Sequence, residues 1–126
     1  MKLRIRGNLL RFRLGRSEVN SLGHTGKIEA AMNFGSGQSD FSYALEKTSA
    51  NEFFGSFVNG KITVCVPELL VSQWVESDEV GIEGRQTLDD HTELKFLIEK
   101  DFVCLNAHND EDQSDRYPHP KGDEVC

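Results

Sequence analysis

Four sets of side chains in this sequence could carry chemistry. The first is a run of arginines near the start: Arg4, Arg6, Arg11, Arg13 and Arg16. A guanidinium presents a planar fork of N–H donors that matches carboxylate and phosphate oxygens. Arg11 and Arg13 alternate along one side of a strand, with Arg4, Arg6 and Arg16 near in sequence, so the row could contact an anionic partner. The competing reading is a strand face whose charges are solvated or paired within the fold. Phe12 points to the opposite side of that strand, so base stacking has no support here.

The second set lies in the last quarter: Cys104, His108, Asp110, Glu111, Asp112, Asp115, His119 and Cys126. Thiolate and imidazole suit zinc, and carboxylates suit harder ions. A divalent-metal site would draw on Cys104, His108, Asp112 and Asp115, although no C-x-x-C or H-x-x-x-H pair is present. A calcium loop also fails, because Asp115 stands where glycine is needed and Lys121 where the closing glutamate belongs. A solvated acidic tail competes with this reading. The third set is a nucleophile with a base: Cys104 with His91, His108 or His119. Nothing in the sequence orients such a pair. Cys65 alternates with Val64 and Val66 and reads as an inert thiol on the opposite face. No phosphate loop, dinucleotide fingerprint, G-x-S-x-G or H-E-x-x-H occurs. The fourth set is aromatic. Trp74 reads as core, whereas adjacent Phe53 and Phe54, with Phe57, cannot all face one way along a strand.

These residues sit in a chain of 126 residues, a length that suits one domain with one core. Charged residues are 28% and hydrophobic ones 37%, which argues against wholesale disorder. No apolar run approaches the roughly 20 residues a bilayer-spanning helix needs, and the basic–apolar alternation of Met1–Arg6 is not a signal peptide. Three widely spaced cysteines fit reduced thiols, so a cytoplasmic location is expected. Net charge is −7, yet residues 1–30 are basic and the remainder strongly acidic. An acidic whole disfavours non-specific nucleic-acid binding and leaves room for a local anionic partner.

The periodicity places these side chains on short elements. Lys2–Arg6 alternates, with Leu3 and Ile5 on one face, and Gly7-Asn8 is a turn signal. Leu10, Phe12 and Leu14 mark a half-buried strand. Arg16–Gly23 reads as a helix with Ser17 as N-cap and Gly23 as its stop. Strands follow at Lys27–Phe34 and around Phe41, Tyr43 and Leu45. Asn51–Val58 is apolar and aromatic, and Asn59-Gly60 is a strong hairpin signal. Lys61–Val66 is a strand, and Pro67 suits the first position of a second helix with Leu70, Val71 and Trp74 as its apolar stripe. Val80–Glu83 is a strand and Gly84–His91 a loop. Leu94, Phe96 and Ile98 mark a further strand, which Phe102–Leu105 could extend. Residues 1–105 thus form one β-rich domain, and 106–126 an acidic, proline-containing tail.

The two halves overlay. Leu10, Phe12 and Leu14 fall on Ile62, Val64 and Val66; Val19 and Leu22 on Val71 and Trp74; Ile28 and Ala30 on Val80 and Ile82. After a one-residue shift, Phe41, Tyr43 and Leu45 fall on Leu94, Phe96 and Ile98. This spacing predicts two strand–helix–strand–strand repeats, about 8–47 and 60–101. One such unit has too little core to stand alone. The expected fold is therefore mostly β (α+β), a compact pseudo-two-fold barrel or sandwich with two short helices.

Gly60–Leu70 continued through Asp78–Ile82 resembles the AbrB/MazE type of swapped-hairpin barrel, which runs strand, proline, short helix, acidic turn, strand. The resemblance implies two such units fused in one chain, and many proteins of that type bind DNA as regulators or antitoxins. Here Trp74–Asp78 stands in place of a glycine-bearing turn, and basic residues are scarce in the second unit. The whole chain also resembles a family of uncharacterised small bacterial proteins, through Met1–Asn8, Arg11–Val19, Ile98–Leu105 and Glu111–Pro120. That resemblance implies no activity.

The sequence points to a non-enzymatic binding or regulatory module that uses the arginine face on a protein or other anionic partner. Nucleic acid is a weaker candidate partner, and no membrane is expected. The alternative is a metal-binding protein or metal-dependent enzyme at the C-terminal cluster; no other cofactor is expected. The chain would be a monomer, or a homodimer through an exposed sheet edge.

Overall fold

The computed structural model describes residues 1–35 and 40–102. Its elements in chain order are β1 Lys2–Arg6, β2 Leu9–Leu14, α1 Arg16–Thr25, β3 Lys27–Met32 and β4 Phe41–Thr48, then β5 Phe54–Val58, β6 Lys61–Pro67, α2 Glu68–Val75, β7 Gly81–Thr87 and β8 Glu93–Lys100. The β–β–α–β pattern occurs twice, each time followed by a further strand. The repeat thus begins one strand earlier than the periodicity suggested.

Two four-stranded mixed sheets result, β1-β2-β8-β7 and β3-β4-β6-β5. Each combines the first hairpin of one half with the second hairpin of the other. The joints are the parallel ladders β2·β8 (Phe12 opposite Ile98) and β4·β6 (Leu45 opposite Val64). The sheets stay open: among the described residues there is no closed barrel. The ladders also set the true equivalence of the halves. Ile28 faces Leu45 and Ile82 faces Ile98, so the counterpart of Ile28 is Ile82 and not Val80. The longer link between α2 and β7 accounts for the slip.

Alternation decides what is inside. Leu10, Phe12 and Leu14 of β2, Leu45 of β4, Val64 and Val66 of β6, and Phe96 and Ile98 of β8 are buried, together with Val19 and Leu22 of α1 and Val71 and Trp74 of α2. They form one cluster shared by both sheets and both helices. Leu70, read as part of the α2 stripe, is exposed. The expected hairpin at Asn59-Gly60 is present, both residues having positive φ (52° and 76°), as a two-residue primed turn requires.

The helix ends differ from expectation. The N-cap of α1 is Gly15, not Ser17, and the helix passes through Gly23 to stop at Gly26. Gly26 has φ 83°, a left-handed conformation that costs glycine little. Gly23 is tolerated mid-helix because α2 approaches there: a Cβ on it would lie 3.4 Å from Val75. Pro67 is the N-cap of α2 and not its first turn. Gly15 has no side chain to cap with, so only the reciprocal half of a capping box forms: its N–H donates to Glu18 Oε1 at 2.8 Å. The Met1 ammonium donates to the other Glu18 oxygen.

Two measurements check these packing assignments. Trp74 is fully buried and its Nε1–H donates to the Val80 carbonyl at 3.0 Å. Trp74→Ala should cost about 3–5 kcal/mol in urea unfolding, and Trp74→Phe, which keeps an aromatic ring but loses the donor and some core volume, about 1–3 kcal/mol. For Glu18, burial raises the carboxyl pKa, but the hydrogen bonds from the Met1 ammonium and Gly15 outweigh it and hold it below its ordinary value. The unfolded chain therefore binds the proton more tightly, so stability falls as pH drops below about 4.3, the ordinary glutamate value, toward the lowered one. Glu18→Gln should flatten that limb of the stability–pH curve.

Candidate functional site

Outer-facing residues of the first sheet line up in rows across β1, β2, β8 and β7. One row is Lys2, Arg13, Glu99, Gly81; the next Arg4, Arg11, Leu97, Glu83; the third Arg6, Leu9, Lys95, Arg85. With Glu93 at the end of β8, the face carries seven basic side chains against three acidic ones. The same rows on the second sheet read Phe54, Cys65, Glu46, Lys27; Ser56, Thr63, Ala44, Glu29; and Val58, Lys61, Ser42, Ala31. Two bases there balance two acids.

Like charges face each other across β1·β2, Arg4 opposite Arg11 and Lys2 opposite Arg13, which destabilises a ladder unless counter-charge is near. At one end the fold supplies it. Arg11 Nε donates to Glu99 Oε1 at 2.6 Å with both side chains mostly covered, and Arg13 Nε lies 3.6 Å from the same oxygen. Lys2 pairs with Asp101 at 2.9 Å, and its hydrogen bond holds the Asp101 carboxyl below the ordinary aspartate value. At the other end Arg85 lies 3.5 Å from Glu93, while Arg6 and Lys95 have no ion-pair partner among the described residues.

The structure thus brings together Arg4, Arg6, Arg11 and Arg13 and separates Arg16. Arg16 opens α1 and lines a different hollow of about 340 Å³ with Asn20, Lys100 and Asp101. Lys2, Arg85 and Lys95 were missed as members of the face. The Lys95 signal was present, since it alternates with Leu94 and Phe96; Arg85 lay in a stretch read as a loop. Arg11 is also more structural than its sequence position suggests, because Glu99 holds it.

Cys104, His108, Asp112 and Asp115 lie outside the described residues, as do the tail at 106–126 and the extension beyond Phe102. Among the described residues no group of three or more His, Cys, Asp or Glu could hold a metal ion. Cys65 is half-buried, opposite Glu46 in the β4·β6 ladder. Burial pushes its thiol pKa up and the Glu46 charge adds to this, which disfavours the nucleophilic thiolate form. No described helix is long and apolar enough to cross a membrane.

A family model covers residues 1–121, nearly the whole chain. The chain belongs to DUF7009, a family of unknown function. No curated protein and no solved structure matches it. The family therefore brings no activity with it, and the reading of the site rests on this chain's own geometry.

The Glu99 contact can be checked directly. Glu99→Ala removes the carboxylate that Arg11 contacts at 2.6 Å in a largely covered pair, so it should cost about 1–3 kcal/mol in chemical denaturation. Arg13→Ala, which removes a longer and more exposed contact, should cost under about 1 kcal/mol.

Proposed function

We propose that this protein is a non-enzymatic binding module that takes a carboxylate-rich protein segment on the outer face of its first sheet. One observation carries the reading: the face holds a large excess of basic side chains, while the equivalent face of the second sheet, built on the same frame, is balanced. The Arg6, Lys95, Arg85 end is where an incoming anion competes least with the fold's own acids. Arg11 and Arg13 flank the docking surface from positions already engaged with Glu99.

An acidic protein segment is favoured over nucleic acid for two reasons. The rows on this face hold no aromatic side chain for bases to stack on. The net charge of −7 also opposes any polyanion that reaches beyond the basic patch, as a duplex must and a short acidic segment need not. The likeness of Gly60–Ile82 to AbrB/MazE-type proteins, many of which bind DNA, makes a DNA duplex the proper second arm of the test.

The test is fluorescence anisotropy of a labelled short poly-glutamate peptide and of a mixed-sequence DNA duplex, with salt raised from about 50 to 200 mM. Poly-glutamate should bind with strong salt sensitivity. The double variant Arg6→Glu, Lys95→Glu should weaken it at least about tenfold, since two attractive contacts become repulsive. Those positions are preferred to Arg11 and Arg13, whose reversal would set a new carboxylate against Glu99. Absence of poly-glutamate binding would remove the reading; tighter binding of the duplex would replace it with a nucleic-acid surface.

A further inference from the structure

Between the two sheets, at the end away from the helices, lies an apolar groove of about 400 Å³. Its main lining is Ile5, Leu10, Phe41, Phe57, Ile62 and Leu94. These are three pairs of counterparts: Ile5 with Phe57, Leu10 with Ile62, and Phe41 with Leu94, by the ladder registers. The groove thus lies on the pseudo-two-fold axis where the four central strands begin. Its volume is within the roughly 300–1,000 Å³ of small-molecule sites. Two of its walls are unusually open for apolar side chains, Phe57 being 68% and Ile5 57% exposed.

The rim is not symmetric. Asn8 lines both the groove and an adjoining hollow that also holds Arg6, Lys95, Arg85 and Glu93. The counterparts of Arg6, Lys95 and Arg85 on the second sheet are Val58, Ser42 and Ala31. A symmetric apolar floor therefore meets cations on one side only. One carboxylate shares this rim: Glu93 Oε2 lies 3.5 Å from Arg85 without a hydrogen bond, against the three cations Arg6, Lys95 and Arg85, of which Arg6 and Lys95 carry no ion pair among the described residues. A neutral apolar ligand would leave that rim unused, and a cationic one would meet repulsion there.

We infer that the groove binds an amphipathic anion of the fatty-carboxylate class, its chain between the sheets and its head group at Asn8, Arg6 and Lys95. Chain burial against Phe57, Ile5 and Leu94 supplies affinity, and the one-sided rim supplies polarity and direction. The inference does not rest on the proposed function. The two share Arg6 and Lys95, but only this one uses the apolar floor.

The test is isothermal titration of the full chain with decanoate and with decyltrimethylammonium, both below their micelle concentrations. The tails are alike and the heads opposite. The overall charge of −7 would favour the cation, so preference for the anion reports the rim. Decanoate should bind saturably, one per chain, at least about tenfold more tightly than the cation. Arg6→Gln should remove most of that preference. Phe57→Ser should weaken decanoate about tenfold or more, as loss of a buried phenyl contact predicts, and leave poly-glutamate binding unchanged. Because Phe57 is exposed in the free protein, this variant should fold, which Trp74 fluorescence will report; Ile5→Ser is the second variant for the same wall. No saturable decanoate binding, equal or better binding of the cation, or full affinity in both wall variants would overturn the inference. Decanoate binding without poly-glutamate binding would uphold it and remove only the acidic-segment reading.

Discussion

The parallel ladders β2·β8 and β4·β6 are the constraint on which everything else depends. A two-stranded hairpin is marginal in water and needs further strands or a helix to cover its apolar face. Here β1·β2 and β3·β4, adjacent in the chain, do not share a sheet. Each gains its third and fourth strands from the other half of the molecule, through a parallel joint that pairs core residues such as Phe12 with Ile98 and Leu45 with Val64. Neither half can complete a sheet alone. The two helices follow from the same joint, since α1 leaves the end of β2 and α2 the end of β6, and they meet where Gly23 lies against Val75.

Inside this frame the halves are bound to resemble one another; outside they are free to differ. Inward positions must fill one shared core, and counterparts there are apolar in both units: Phe12 and Val64, Leu14 and Val66, Leu22 and Trp74. Outward positions answer only to solvent and partners. The first sheet uses that freedom to carry arginine and lysine, the second to carry small, aromatic and balanced charged side chains. The functional asymmetry is therefore a surface property laid on a symmetric interior, and it concentrates where Arg6, Lys95 and Arg85 form one row.

Much of this was legible in the sequence because period-two alternation is strong wherever a strand buries one face. β2, β4, β6 and β8 follow it, and so does the repeat. The part that escaped notice is instructive. Gly84–Thr87 reads as loop, yet β7 continues to Thr87. Beyond Ile82 its inward positions, Gly84 and Gln86, hold no apolar side chain for a specific reason. The Phe53 ring occupies the space over Gly84, where a Cβ would lie 2.3 Å from it, and stacks on Phe96 at 5.7 Å. Two residues on, the Gln86 side chain accepts a hydrogen bond from the Gly55 N–H at 2.8 Å. Tertiary contacts thus replace the hydrophobic pattern that a sequence reading relies on. The basic face was legible as an arginine row on β1 and β2, but its completion by Lys95 and Arg85 needed the topology, which sets β8 beside β2. Arg16 follows the end of β2 into α1, so it lies outside the strand rows and lines the neighbouring hollow with Lys100 and Asp101.

The exchange of hairpins also orders events during synthesis. The second sheet is built from one continuous stretch, residues 27–67, so every strand it needs emerges from the ribosome before β7 does. The first sheet joins the two ends of the domain, residues 2–14 and 81–100. Its β1·β2 hairpin, with Leu10, Phe12 and Leu14 uncovered, must wait for β8 to emerge. Contacts this distant in sequence form slowly, and exposed apolar strands in the meantime invite wrong pairing. The like charges that face each other across β1·β2, Arg4 with Arg11 and Lys2 with Arg13, therefore go without the offsetting Glu99 until β8 brings it, so the hairpin gains its strand partner and its counter-charge in one step.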